Sequence, residues 1–203
     1  MPVEGAACSR VRPPCRPPDQ TTGAQMKFDF SGRTLLLTGA NGGIGRAIAA
    51  TFAEAGANMV LADRDLAPLQ DFTAGLGGAG RKIAMAMDAA DPASAEAMVK
   101  AAVDAFGRID FIVPSAGIYL AEPFAEMTDD QWRRTLSINL DGTFYLLNRA
   151  QHHLAEGSAI VNLTSLAAHR GAQTNAHYAA SKGALTAMTR SIARELGPKT
   201  RVN

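Results

Sequence analysis

From Arg33 onward, short apolar runs alternate with stretches whose apolar residues recur every three or four positions. That alternation is what βα units and a parallel sheet produce. The runs predict strands near 34–38, 58–62, 82–87, 110–113 and 159–163, and the helical spacing predicts helices near 43–55, 65–74, 92–106, 129–154 and 177–196. Local chemistry marks several ends. Asp91 before Pro92 is an N-cap with a first-turn proline, Thr128 with Gln131 makes a capping box, and Gly197-Pro198 stops the last helix. Ala84-Met85-Ala86-Met87 reads as a buried strand, and Thr200 to Asn203 as the opening of a sixth. The expected fold class is α/β, a doubly wound parallel sheet forming a single domain over residues 26–203.

Composition changes the picture at one end only. Five of the ten prolines (Pro2, Pro13, Pro14, Pro17, Pro18) fall in the first eighteen residues among Arg10, Arg12 and Arg16, a mixture that cannot bury a core. Residues 1–25 are therefore expected to form a disordered N-terminal extension. It lacks the ~7–15-residue apolar segment of a secretory signal, and its prolines oppose the amphipathic helix of a transit peptide. Met26 stands just before the ordered patterning and is a candidate start. Both cysteines, Cys8 and Cys15, lie in the extension, so the folded part is expected to hold neither a disulfide framework nor a thiolate metal site, which fits a reducing cytoplasmic setting. Lys+Arg of 20 against Asp+Glu of 19 gives a formal charge of +1. No large positive field exists to hold nucleic acid or an anionic membrane, and no run approaches the ~18 apolar residues of a membrane span.

The first candidate chemistry is Thr38-Gly39-Ala40-Asn41-Gly42-Gly43-Ile44-Gly45, a glycine-rich turn between a strand and a helix. Gly39 can turn sharply, Gly43 lets backbone amides approach a pyrophosphate, and Gly45 lets helix and sheet pack closely. The helix N-terminus then presents free N–H groups to the anion. Asp63 ends the second strand about twenty residues later, the position from which an acid can accept hydrogen bonds from an adenosine ribose. Asp63 would repel a 2′-phosphate. Arg64 follows it as a partial counter-charge, yet no basic residue occupies Ala40 to Gly43, so NAD is favoured over NADP. The expected architecture is of the Rossmann type.

The second is Tyr178 with Lys182, whose i, i+4 spacing places them on one helix face. A phenol has an ordinary pKa of about 10, and a neighbouring ammonium favours its ionised form. Tyr178 is thus a candidate proton donor and acceptor. Ser165 follows the predicted strand 159–163, at the carboxyl edge of the sheet where ligands bind in this architecture.

Together these residues resemble the short-chain dehydrogenase/reductase family. Its pattern Thr-Gly-x-x-x-Gly-x-Gly is met by Thr38, Gly39, Gly43 and Gly45, and its catalytic Ser, Tyr and Lys by Ser165, Tyr178 and Lys182. Its catalytic Asn on the long central helix is matched by Asn139, and its adenine-contacting Asp by Asp88, with Ala89 beside it. The resemblance implies hydride transfer between a nicotinamide and an alcohol or carbonyl. Ser165 would orient the substrate oxygen, Tyr178 would move its proton, and Lys182 would assist the tyrosine and hold the nicotinamide ribose. Asn139 would support a water linking Lys182 to solvent. Further cofactor contacts are implied at Asn41, Ile44, Ser115, Ala116, Gly117 and Tyr178 itself, and a homo-oligomer, dimer or tetramer, as the working assembly.

Two departures accompany the resemblance. Where the family has Asn-Asn-Ala-Gly after the fourth strand, this chain has Pro114-Ser115-Ala116-Gly117, and Pro114 fits only where the ladder needs no N–H. Relatives also continue beyond the sixth strand into a substrate loop and a seventh strand, so the sheet is expected to lack its usual last strands, and a catalytically impaired dinucleotide-binding fragment is an alternative to the active oxidoreductase. A sugar-nucleotide epimerase or dehydratase is the other alternative, because Gly39, Gly42 and Gly45 also fit Gly-x-x-Gly-x-x-Gly; the context of Asn139 argues against it. Other polar clusters carry no assigned chemistry. His152 and His153 cannot both face one ion from a helix, and no metal site is assigned. Asp129-Asp130 complement a helix dipole, His177 is expected on the solvent side, and Trp132 at a helix start or subunit contact.

Overall fold

The computed structural model describes residues 28–203; the extension 1–25, with both cysteines, lies outside the described residues. Six parallel strands form one sheet: β1 (Thr34–Thr38), β2 (Asn58–Asp63), β3 (Lys82–Ala86), β4 (Ile109–Pro114), β5 (Leu154–Ile160) and β6 (Thr200–Val202), in the order β3-β2-β1-β4-β5-β6. The helices are α1 (Gly43–Glu54), α2 (Leu66–Ala74), α3 (Pro92–Phe106), α4 (Asp129–Leu136), α5 (Gly142–Ala150), α6 (Ala167–Arg170) and α7 (Ala176–Leu196). Strand order reverses between β1 and β4, which opens a crevice beyond their carboxyl ends.

Two cores follow from side-chain alternation along fully buried strands. Leu35, Leu37, Met59, Leu61, Phe111 and Val113 face α1 and α2, whereas Leu36, Val60 and Ile112 face α3 and α5. Helix α1 lies close to the sheet because its buried stripe is Gly45, Ala49 and Ala53. Buried Asp110 accepts from the Thr34 N–H at 2.9 Å and pairs with Arg108, tying β1 to β4. The expected caps are present: Asp91 accepts from the amides of Ala93 and Ser94, and Thr128 and Gln131 cap each other's amides.

The strand predicted at 159–163 instead runs from Leu154 to Ile160, where the helix predicted over 129–154 was expected to end. An irregularity around Gly157, at φ +74, absorbs the polar stretch that disguised its start. Its end has a cause on the facing strand. Ile112 accepts from the Val161 N–H at 3.0 Å, so residues 112 and 114 of β4 present their backbone groups to β5. Pro114 has no N–H to offer there, and β5 leaves the ladder. The predicted 129–154 helix is also divided: a π-helical turn, Ser137–Asp141, separates α4 from α5, and a 3₁₀ turn at Gln151–His153 follows.

Candidate active site

The turn after β1 is fixed by contact. Gly39 has φ +62, and a Cβ there would lie 2.7 Å from the Ala116 backbone nitrogen, because the segment after β4 crosses directly over it. The Ala116 N–H donates to the Thr38 hydroxyl at 3.2 Å. At Gly45 a Cβ would lie 2.2 Å from the Gly39 carbonyl oxygen. Gly43 differs: nothing lies within 4 Å of where its Cβ would project. Helix α1 begins there with no side chain capping its first amides. Open space thus faces a helix N-terminus, the arrangement an anion needs.

From this turn a cleft of about 520 Å³ runs along the ends of β1, β2 and β4, lined by Gly39, Asp63, Asp88, Ala89, Ser115 and Gly117 among others. Asp63 accepts from the Asn41 N–H at 3.0 Å. The acid therefore shapes the turn as well as walling the cleft, and is not a free loop carboxylate. Asp88 is exposed and accepts from the Ala90 N–H at 2.9 Å. The Arg46 guanidinium spans the backbone oxygen and side chain of Asn41 while lying over the Phe72 ring. Ile44 is 64% exposed beside the turn. A Cβ at Gly142 would meet the Ala89 carbonyl oxygen at 2.4 Å, so α5 abuts the cleft wall directly.

Tyr178 and Lys182 share one face of α7. The Lys182 Nζ lies 5.8 Å from the centre of the Tyr178 ring and donates to the Leu163 carbonyl at 2.7 Å, anchoring α7 to the chain leaving β5. Tyr178 is half-buried, and the Tyr119 ring meets its own edge-on at 4.6 Å. Ser165 lies in the same connection as Leu163; its hydroxyl accepts from the Ala167 N–H at 3.1 Å and starts α6. Tyr178, Lys182 and Ser165 stand outside the lining of the cleft.

Burial of Lys182 pushes its amine below the ordinary value near 10.5. Between the lowered folded value and 10.5 the unfolded chain binds more protons, so stability rises with pH across that interval. Lys182→Met removes the titration. The unfolding free energy of that variant minus wild type is expected to fall as pH climbs through the interval; urea melts at stepped pH measure it, and a pH-independent difference would show that the amine carries no desolvation cost.

Asn139 lies inside the π-helical turn and is 1% exposed. Its Oδ1 accepts from the Ile118 N–H at 2.8 Å, while its Nδ2 donates to the Ile118 carbonyl at 2.9 Å and faces the Ser181 hydroxyl at 3.3 Å. It thus clamps the segment after β4 to the central helix and to α7. A Cβ at Gly117 would approach Asn139 Oδ1 to 3.2 Å.

His177 is not on the solvent side. Its side chain is fully buried, with Nε2 2.6 Å from Glu122 Oε2. Adjacent helix residues point about 100° apart, so a histidine beside a site-facing tyrosine was expected outward; the segment 118–126 covers that direction. Glu122 and Arg134, joined at 3.2 Å, lacked any sequence pattern to single them out.

The chain is similar to known oxidoreductases. A family model described as enoyl-(acyl carrier protein) reductase matches residues 39–203. D-threitol dehydrogenase of Mycolicibacterium smegmatis is 38% identical over 182 residues, 87% of this chain and 70% of that protein. Galactitol 2-dehydrogenase of Agrobacterium fabrum is 34% identical over 170 residues, 82% of this chain and 66% of that protein. The crystal structure of a Brucella melitensis protein described as a short-chain dehydrogenase/reductase, glucose/ribitol dehydrogenase, is similar with a TM-score of 0.86 at 60% identity, covering 88% of this chain and 75% of that one.

Proposed function

The chain belongs to the short-chain dehydrogenase/reductase family of oxidoreductases, which bind NAD(P), and on that premise we propose that it transfers a hydride between NAD(H) and a secondary alcohol or its ketone. The observation that carries this reading is the placement of Lys182 beneath Tyr178, pinned to the carbonyl of Leu163 where the chain leaves β5. An ammonium beside a half-buried phenol lowers the cost of negative charge on its oxygen while a proton is in transit.

The residues present fit a dinucleotide. The uncapped start of α1 and the open space at Gly43 suit the pyrophosphate, Asp63 the adenosine ribose, Asp88 and Ala89 the adenine, and Ser115, Ala116 and Gly117 the path toward the nicotinamide. When bound, the nicotinamide supplies the hydride chemistry. In the oxidative direction Tyr178 takes the substrate hydroxyl proton, Ser165 holds the substrate oxygen, and Lys182 supports the tyrosine and the ribose. Asn139, by clamping Ile118, holds the π-helical turn beside α7, where a water can connect Lys182 to solvent. Reduction runs the same proton path backwards. The named activities of similar proteins on threitol and galactitol make small polyols the first substrates to try. The assembly in this reading is a homo-oligomer in the cytoplasm.

NAD is the proposed cofactor because Asp63 stands where a 2′-phosphate would meet a carboxylate. Asp63→Asn keeps an acceptor for the Asn41 N–H and removes the charge. The ratio of kcat/KM with NADP to that with NAD is expected to rise at least about tenfold, equivalent to 1.4 kcal/mol; an unchanged ratio would reject the role of Asp63. The activity itself is tested by following NADH absorbance with four- to six-carbon polyols and NAD. NADH binding without turnover of any polyol or ketone would leave only a dinucleotide-binding protein.

A further inference from the structure

Four contacts fasten the segment after β4 to the start of α7. The Tyr119 ring meets Tyr178, Asn175 Nδ2 donates to the Leu120 carbonyl at 2.5 Å, the Glu122 N–H donates to the Thr174 carbonyl at 2.7 Å, and the Glu122 carboxylate meets His177. A contact within α7 determines where the imidazole proton sits. His177 Nδ1 lies 2.9 Å from the Tyr178 backbone nitrogen, whose N–H points at it. A backbone N–H can only donate, so Nδ1 accepts and the proton resides on Nε2, pointing at Glu122 Oε2. Tyr178 is the third residue of α7, and its amide is one of the first-turn donors without a helical partner. The side chain of the N-cap residue, Asn175, is turned away to Leu120, so the imidazole serves as the cap.

We propose that Glu122 and His177 form a relay that positions Tyr178: the carboxylate holds the imidazole in the Nε2–H tautomer, and only that tautomer can cap the Tyr178 amide. Arg134, which lines the dinucleotide cleft, donates to Glu122 Oε1 at 3.2 Å and joins the cleft wall to the tyrosine. His177 is here a positioning residue, and the proposal rests on the reading of Tyr178 as the proton carrier.

Glu122→Gln tests the relay at almost constant volume. Arg134 has only donors, so the amide oxygen of the new side chain turns to Arg134 and its NH₂ group faces His177. Nε2 must then accept, the proton moves to Nδ1, and it opposes the Tyr178 N–H. Imidazole ¹⁵N NMR, assigned by difference from His177→Asn, is expected to show the Nε2–H form in wild type and the Nδ1–H form in Glu122→Gln. The kcat of Glu122→Gln is expected to fall about 10- to 100-fold, the range of a displaced catalytic group, with NADH affinity unchanged. Adding Arg134→Met frees the amide to turn its oxygen back to His177, restoring the Nε2–H form and, at saturating dinucleotide, raising kcat above that of Glu122→Gln; a contact that merely supported the fold would not be rescued by losing a second one. If Glu122→Gln does not fold, the wild-type spectrum still tests the relay, since only the Nε2–H form is compatible with it. An Nδ1–H or doubly protonated His177 in wild type, or a Glu122→Gln enzyme with unaltered tautomer and kcat, overturns the relay. An active Tyr178→Phe enzyme would instead remove the proton-carrier reading and leave the tautomer as found.

Discussion

Tyr178→Phe is expected to lower kcat by about 10²- to 10⁴-fold, the usual contribution of a positioned acid–base group, while NADH affinity stays within about twofold, less than 0.5 kcal/mol. The substitution removes one oxygen and little else. The ring remains to meet Tyr119 at 4.6 Å and to lie 5.8 Å from the Lys182 ammonium. The Tyr178 backbone N–H, held by His177, is untouched. The cleft proposed for the adenosine and pyrophosphate is lined by the ends of β1, β2 and β4 and not by this side chain. Binding and chemistry are therefore separable at this position. NADH binding by fluorescence and steady-state turnover of whichever polyol proves active would be measured on the same preparation. Turnover equal to wild type would end the assignment of Tyr178 as the proton carrier, and a parallel loss of NADH affinity would show that the residue mainly builds the cofactor site.

What could be read from the sequence is what depends on neighbours along the chain. Gly39 and Gly45 announce themselves because a strand that turns at once into a helix leaves no room for side chains, and the structure places backbone atoms within 3 Å of both missing Cβ positions. Tyr178 and Lys182 share a face through helical spacing alone, and the caps at Asp91 and Thr128 are local hydrogen bonds. The unforeseen features arise between distant segments. β5 stops at Ile160 because Pro114, on another strand, withholds an N–H. The π-helical turn carries no glycine or proline in Ser137–Asp141; it coincides with Asn139 reaching across to the backbone of Ile118. His177 was expected outward because nothing in its vicinity marks 118–126 as the segment that covers it, and Glu122 becomes meaningful only when 55 residues of chain are folded back onto it.

Gly43→Ala and Gly45→Ala, two residues apart on the same helix, are expected to fail in opposite ways. At Gly45 the added methyl would sit 2.2 Å from the Gly39 carbonyl oxygen and 2.8 Å from Ala40 Cα. Both are backbone atoms, and the Gly39 turn is itself pressed against Ala116, so it has nowhere to retreat. Overpacking of this kind costs about 1–3 kcal/mol or more, and Gly45→Ala should melt well below wild type and lose NADH binding with the fold. At Gly43 the methyl meets nothing within 4 Å, and alanine at a helical position is favoured over glycine by up to about 1 kcal/mol. Gly43→Ala should hold or raise the melting temperature. It should nonetheless weaken NADH about tenfold, equivalent to 1.4 kcal/mol, because the methyl occupies the approach to the free amides of α1. A thermal melt and an NADH titration on each variant give four numbers. Stability and affinity falling together at Gly45 but diverging at Gly43 is the pattern expected if the empty space belongs to the pyrophosphate. Wild-type affinity in Gly43→Ala would place the dinucleotide elsewhere, and with it the premise that the turn after β1 and the tyrosine of α7 serve one ligand.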